Sequence, residues 1–271
     1  MSVNDVSLTA GMRSNLLQLQ GTSKLIDRTQ ERLSTGKQVN SALDNPTNFF
    51  AAQSHMNRAN DFAVRKDGMS EGIQTATAAD AGISAINSLV EAAKGLAAAA
   101  LGTANTTDRA TFATQYQQLI TQINTMASDS QYRGTNLLTG ATLTVNFNED
   151  ATSKLEVKGF TATASGLSIS TPTNVWTADG DITLSQVHLA SATTQLRTQS
   201  KNLANNLNII TTRQEFTDNM IGTLQTGADN LTLADMNQEG ANMLMLQTRQ
   251  NLGTTALSLS SQAAQSVLRL F

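Results

Sequence analysis

The chain of 271 residues has no cysteine, 2 prolines and 1 tryptophan. Without cysteine there is no disulfide framework, no thiolate metal site and no thiol nucleophile. A protein of this kind, if exported, is indifferent to the redox state on either side of a membrane. Aromatic residues make up only 4% of the chain and charged residues only 14%, against about 25% charged in an average domain. Ser, Thr, Asn, Gln and Ala fill the gap. The formal net charge of -3 argues against a polyanion-binding surface, so nucleic acid is not an expected partner. Long apolar runs are missing as well. The most continuous one, GLAAAALG from Gly95 to Gly102, is far too short to cross a bilayer, and membrane insertion is not expected. The opening stretch, MSVNDVSLTAGMRSNLLQLQ, lacks the basic region and apolar run of a cleavable signal peptide. These rules predict a soluble protein made in the cytoplasm, whose export would need a route that reads some other signal.

Catalytic constellations are absent too. His55 and His188 lie far apart and have no Cys or carboxylate neighbour at ligand spacing, so packing or exposed roles are expected. STGKQ around Lys37 lacks the upstream Gly of a phosphate-binding loop, because Glu31 stands there. Asn146, Asn148 and Asp150 imitate the start of a calcium loop, but Ala151 occupies the obligatory Gly position and Val157 that of the bidentate Glu. No enzyme activity, metal or cofactor is expected.

What the sequence does contain is helical periodicity. Leu189, Leu196, Leu203, Ile210, Leu224 and Leu231 share one seven-residue register, interrupted only by Thr217, with Leu207 and Ile221 in a second seam. Neither Gly nor Pro interrupts Asp181 to Ile221, a rod about 60 Å long at 1.5 Å per residue. Met12, Leu16, Leu19, Ile26 and Leu33 step by threes and fours until Gly36, which predicts a helix ending at that glycine. Asn45 as cap and Pro46 at the first helical position predict a restart. Beyond them Ile73, Ala76, Ile83, Ile86, Val90, Ala93 and Ala97 carry a thin seam to about Leu101. A third helix is expected from near Thr107, with Phe112, Tyr116, Leu119, Ile123 and Met126 on one face and Asn105 as its cap.

The middle changes period. Thr142 to Phe160 alternates apolar and polar residues around a polar turn near Glu149 to Ser153, the pattern of a β-hairpin. Leu167 and Ile169 suggest one more short strand. The fold class expected is mainly α: a long antiparallel coiled-coil-like helical bundle formed by the N- and C-terminal segments, with a small β-hairpin insert in the middle.

The two chain ends pose the sharper question. From Met1 to Ser23 the only charged side chains are Asp5 and Arg13, and from Ala241 to Phe271 they are Arg249 and Arg269. Two apolar, charge-poor helices can pair antiparallel, but a lone pair has little core. Ordering each residue costs about 1–2 kcal/mol of backbone entropy. Burying a Leu or Phe returns roughly 1.5–3 kcal/mol only where the far side is covered too. Identical pairs on neighbouring molecules could supply that cover. The candidate self-assembly residues are Leu16, Leu19, Ile26 and Leu33 at one end and Leu252, Leu259, Leu270 and Phe271 at the other.

Several stretches carry a family resemblance: ERLSTGKQVNSALDNPTNFFAAQ (Glu31 to Gln53), AINSLVEAAKGLA (Ala85 to Ala97), YRGTNLLTG (Tyr132 to Gly140) and the terminal SVLRLF. The first is similar to an RLSSG-x-x-IN-x-A-x-D block. Together they make the chain resemble bacterial flagellin, in particular the short flagellins of alphaproteobacteria. The resemblance implies a filament subunit for swimming motility, with residues 1–41 and 228–271 forming an inner tube. Residues 42–140 and 186–227 would form the outer tube, and residues 141–185 a surface insert. It implies self-association, co-assembly with related flagellins, and a secreted, extracellular location. Export would pass through the flagellar type III apparatus with an export chaperone, and hook–filament junction and cap proteins would be further partners. It also permits O-linked sugars on Thr161, Thr163, Ser165, Ser168, Ser170, Thr171 and Thr173 of the insert, the alternative being that these hydroxyls only solubilise it. In flagellins sensed by the animal Toll-like receptor, an Arg stands where this chain has Ala92 and a Gln where it has Ala99, while the Leu contact is kept as Leu96. A hook–filament junction protein, or a coiled-coil adaptor binding a partner helix, are the competing readings.

Overall fold

The computed structural model of the protein describes residues 10–268. Five long helices and one hairpin follow in the order α1 (Ala10–Thr35), α2 (Pro46–Leu101), α3 (Thr106–Asp129), β1 (Thr142–Asn146), β2 (Lys154–Lys158), α4 (Asp179–Thr232) and α5 (Met236–Leu268). The chain divides into two compact units, one running to Asn57 and resuming at Leu224, the other Arg58–Thr223.

The Arg58–Thr223 unit is built on a shared apolar seam. Along α2 the fully or nearly buried positions are Ala76, Ala79, Ile83, Ile86, Val90, Ala93 and Ala97. From α4 come Leu189, Leu196, Leu203 and Ile210, all in the same cluster. The four α4 residues are heptad positions read from sequence, and the polar entry Thr217 is buried with them by returning its hydroxyl to the carbonyl of Arg213. Polar ties flank the seam in antiparallel order. Lys94 Nζ donates to Thr193 Oγ1 at 2.7 Å, Ser200 Oγ to Asp80 Oδ1 at 2.8 Å, and Gln214 Nε2 to Ser70 Oγ at 2.7 Å.

Helix α3 starts where its cap predicts, the Asn105 side chain accepting from Thr107 N at 2.9 Å. Its buried line is Ala113, Tyr116, Ile120, Ile123 and Ala127, so the helix is rotated from the expected face. Phe112, Leu119 and Met126 pack only at the margin of the core. The large flanking side chains shelter a narrow line that the small alanines let come close.

The hairpin pairs Thr142 with Lys158 and Asn146 with Lys154. Its buried side chains are Val145 and Val157, and Val145 sits against the bare α-carbon of Gly72, where a Cβ would meet Val145 Cγ2 at 2.8 Å. The calcium-loop imitation is a turn device instead: Asn148 Oδ1 accepts from Ser153 N at 3.0 Å and Nδ2 donates to Thr152 Oγ1 at 2.6 Å.

The additional strand expected around Leu167 and Ile169 does not form. Both are buried, but in consecutive turns closed by Leu167 N to Thr163 O and Ile169 N to Ala164 O. The chain then makes a short turn with Asn174, Val175 and Trp176 all at positive φ, 46°, 50° and 57°. Left-handed backbone costs about 1–2 kcal/mol per residue away from glycine. Anchors offset that cost. Trp176 is fully buried 4.7 Å from the Tyr116 ring and donates to Ser185 Oγ at 3.2 Å. Beside it the buried Arg109 ties three segments together, bonding Thr103 O and Thr177 O and pairing with Asp179.

In the other unit, Gly36 (φ 70°) follows the last residue of α1 in the left-handed conformation that lets a helix stop there, and Gly36 N donates to Arg32 O at 2.8 Å. Helix α2 begins at Pro46 with Asn45 Oδ1 accepting from Asn48 N at 3.1 Å. Helices α4 and α5 are separated by a break that the sequence pattern did not announce. There Leu233 bridges to Lys37, and Asp235 Oδ1 caps α5 by accepting from Asn237 N and Gln238 N.

Candidate functional site

The candidate site is the antiparallel pair of α1 and α5. Three contacts set its register, their partners climbing one helix as they descend the other. At the inner end Ala234 N donates to Gly36 O at 3.0 Å. Next, Arg32 Nη1 pairs with Glu239 Oε1 at 2.9 Å. Further out, Leu19 fills a notch at Gly253, where an added Cβ would lie 2.6 Å from Leu19 Cδ2. A glycine inside a helix costs about 1 kcal/mol against alanine; here it lets a leucine approach the partner backbone.

The pair covers only part of its own apolar surface. Met12 and Leu246 are buried, and Leu19, Ile26 and Leu33 are half-buried. Leu16 is at the edge of exposure, whereas Leu252 is 65% and Leu259 62% exposed. Sequence reasoning had not singled out Leu17 at 69% and Leu244 at 68%; their places outside the main stripe hid them. Leu25, Thr22, Leu252 and Ala256 line, with Leu19, a groove of about 660 Å³ along the pair. The expected residues Leu270 and Phe271 lie outside the described residues. Between Ala10 and Ser23, Arg13 is the only charged side chain, and beyond Glu239 the described part of α5 has only Arg249. Exposed leucines with almost no charge among them are the kind of surface that marks an interaction site.

The insert presents its hydroxyls unevenly. Thr161, Ser165, Ser168, Thr171 and Thr173 are exposed, while Thr163 and Ser170 are half-buried. Thr163 Oγ1 accepts from Gly166 N at 3.3 Å, and Ser170 Oγ lies 2.9 Å from His188 Nδ1. That contact gives His188 a packing role. His55 lies against Gly227. Among the described residues no group of three or more His, Cys, Asp or Glu side chains could hold a metal ion. No described helix is long and apolar enough to cross a membrane.

Among the described residues the Arg32–Glu239 pair is the one charged contact within the helix pair, with Glu239 side-chain exposure of 8%. Replacing it by Glu239→Ala leaves the guanidinium half-buried without its partner, and hydrogen bonds to charged groups contribute about 1.5–3 kcal/mol. The expected outcome is faster amide hydrogen exchange along α5 in the free chain, by roughly tenfold for about 1.4 kcal/mol. Exchange within residues 58–223 should be unchanged. Equal exchange rates in α5 would remove this contact as the lock of the pair.

Comparison with known proteins identifies the family. The family model described as bacterial flagellin N-terminal helical region matches residues 3–142. Flagellin FljM of Caulobacter vibrioides is 29% identical over the whole of both chains. A flagellin of Brucella melitensis is 30% identical, covering 99% of this chain and 97% of its own length. The crystal structure of Bacillus cereus flagellin superposes with a TM-score of 0.49 at 18% identity, covering 55% of this chain and 88% of that one. With a family model over more than half its length and a relative matched nearly end to end, the chain belongs to the bacterial flagellin family.

Proposed function

We propose that the chain polymerises into the flagellar filament through its α1–α5 pair, the open flank of each copy being covered by the pairs of its neighbours. It is a structural filament subunit, not an enzyme. The observation that supports this mode of assembly is the exposed, nearly uncharged flank carrying Leu17, Leu244, Leu252 and Leu259. At roughly 1.5–3 kcal/mol per leucine taken out of water, four such side chains contribute about 6–12 kcal/mol, comparable with the loss of freedom on joining a polymer, on the order of 4–15 kcal/mol. Several neighbours per subunit are therefore part of the reading. In this reading residues 1–41 and 228–271 line the inner tube, residues 42–140 and 186–227 the outer one, and residues 141–185 face solvent. Passage through the flagellar type III apparatus with an export chaperone, contact with junction and cap proteins, and co-assembly with related flagellins complete it.

Removing residues 252–271 should leave a folded, helical monomer, because the seam of the Arg58–Thr223 unit is untouched. Circular dichroism and sedimentation velocity read this directly. Normal filaments from the shortened chain would sink the proposed assembly mode. A single Leu259→Glu should also stop elongation on added filament fragments, since an unpaired charge between subunits is costly to bury.

The five exposed hydroxyls of the insert are the candidate acceptors for O-linked sugars; Thr163 and Ser170 have their hydroxyls engaged within the fold. Filaments taken from cells should show an intact mass above that of the bare chain. A mass equal to the sequence refutes the modification.

Recognition by the animal receptor is expected to be weak. Ala92 and Ala99 are exposed on α2, and Leu96 is half-buried beside Leu119 of α3. Alanine lacks the guanidinium fork and the amide that the receptor-active relatives offer. Loss of an interface arginine is commonly worth 2 kcal/mol, or roughly thirtyfold in affinity. A reporter-cell dose series on the monomer should therefore fall well below a receptor-active flagellin, and Ala92→Arg with Ala99→Gln should raise it. Equal potency without those changes would overturn the expectation.

A further inference from the structure

The outer edge of β2 has no strand partner among the described residues, and what faces it is unusual for a solvated helix. Two main-chain bonds flanking the ladder fix its phase: Gly159 N donates to Ala141 O at 2.9 Å, and Phe147 N to Ser153 O at 2.8 Å. In an antiparallel pair, hydrogen-bonded and non-hydrogen-bonded residues alternate. With Leu143 opposite Val157 and Val145 opposite Leu155, the odd-numbered residues face their partners. The N–H and C=O groups of Glu156 and Lys158 therefore point away from β1. Neither residue's main chain takes part in the hydrogen bonds made outside the ladder.

Glu156 and Lys158 line a cleft of about 360 Å³ whose opposite wall is α4, contributing Gln199, Asn202, Asn205 and Asn206. Four carboxamides within eight residues are nearly idle inside the chain. Asn202 Nδ2 reaches Gln199 Oε1 only at 3.5 Å, and neither Asn205 nor Asn206 has a hydrogen-bonding partner among the described residues. Each carboxamide can both donate and accept. One wall thus offers main-chain donors and acceptors at a two-residue repeat, about 6.6–7 Å, and the other offers uncharged amides that match either kind of group. Glu156 and Lys158 carry opposite charges, so the cleft has no net charge to select an ion.

We propose that this cleft takes an extended segment of another polypeptide, which adds to the free edge of β2 as a third strand. The outer edge of the incoming strand is then held by the carboxamides of α4. A polypeptide backbone is the ligand whose donors and acceptors repeat along both edges at the spacing of β2. Saccharide hydroxyls would satisfy the amides but have no such repeat to match the strand. The volume accommodates a few residues, the length of a short edge pairing, and the segment's side chains are small and polar because the walls contain little apolar surface.

The test uses the full chain, kept monomeric, and a fluorescein-labelled peptide alternating Thr and Ser, followed by fluorescence anisotropy. Its analogue N-methylated at alternate amides cannot complete a ladder. Saturable binding of the first peptide, weakened at least about tenfold by N-methylation, is the expected result, tenfold being about 1.4 kcal/mol. Glu156→Pro removes one outward N–H while respecting an edge position where proline is tolerated, and should weaken binding to a similar degree. Asn202→Ala combined with Asn206→Ala should weaken it too. Should the proline variant fail to fold by circular dichroism, the methylated peptide on the unaltered chain still decides. The proposal is overturned if no binding saturates, if the methylated peptide binds equally well, or if maltotriose displaces the peptide at equal concentration.

Discussion

The apolar seam shared by the side chains of α2 and α4 is the interaction on which the Arg58–Thr223 unit depends. Leucines at heptad positions of α4 need a partner surface low enough to receive them, and α2 supplies one with Ala76, Ala79, Ala93 and Ala97 set among Ile83, Ile86 and Val90. Small residues let two backbones come near each other without voids, which is where packing gains are largest. The flanking polar ties involving Lys94, Asp80 and Gln214 then fix the register without adding buried charge of one sign. Helix α3 and the hairpin close the remaining sides of this seam. The α1–α5 pair has the same antiparallel logic but, among the described residues, leaves Leu17, Leu244, Leu252 and Leu259 exposed.

Much of this was legible residue by residue, and the parts that were not share a cause. The α4 seam, the Asn45–Pro46 start, the Asn105 cap and the hairpin are local signals: each is set by periodicity or by side chains within a few positions. The rotated face of α3 was missed because Ala113 and Ala127 are inconspicuous in a stripe beside Phe112 and Met126, yet small residues come closest to a crowded core. Leu167 and Ile169 alternate like a strand, but glycine and hydroxyl residues around them close turns that no neighbouring edge competes for. The break between α4 and α5 depends on main-chain pairing with a segment nearly two hundred residues away, Lys37 to Leu233, which local pattern cannot reveal.

The candidate surface divides in the same way. Stripe positions such as Leu16, Leu19, Ile26, Leu252 and Leu259 follow from spacing and lack of charge. What the sequence could not supply is how much of each stripe the pair covers for itself. Nothing local in the sequence ties Arg32 to Glu239 or marks Gly253 as the seat for Leu19; the fold joins them. Register between distant helices is a property of the pair, and it decides which leucines remain for a neighbour.

The placement of the single tryptophan has a practical optical consequence. Trp176 is fully buried against Tyr116 within the Arg58–Thr223 unit, while α1 and α5 contain none. Its emission is therefore an internal gauge of that unit's integrity, separate from events on the helix pair. Light scattering recorded alongside it would distinguish a subunit that cannot join a polymer from one that has lost its fold.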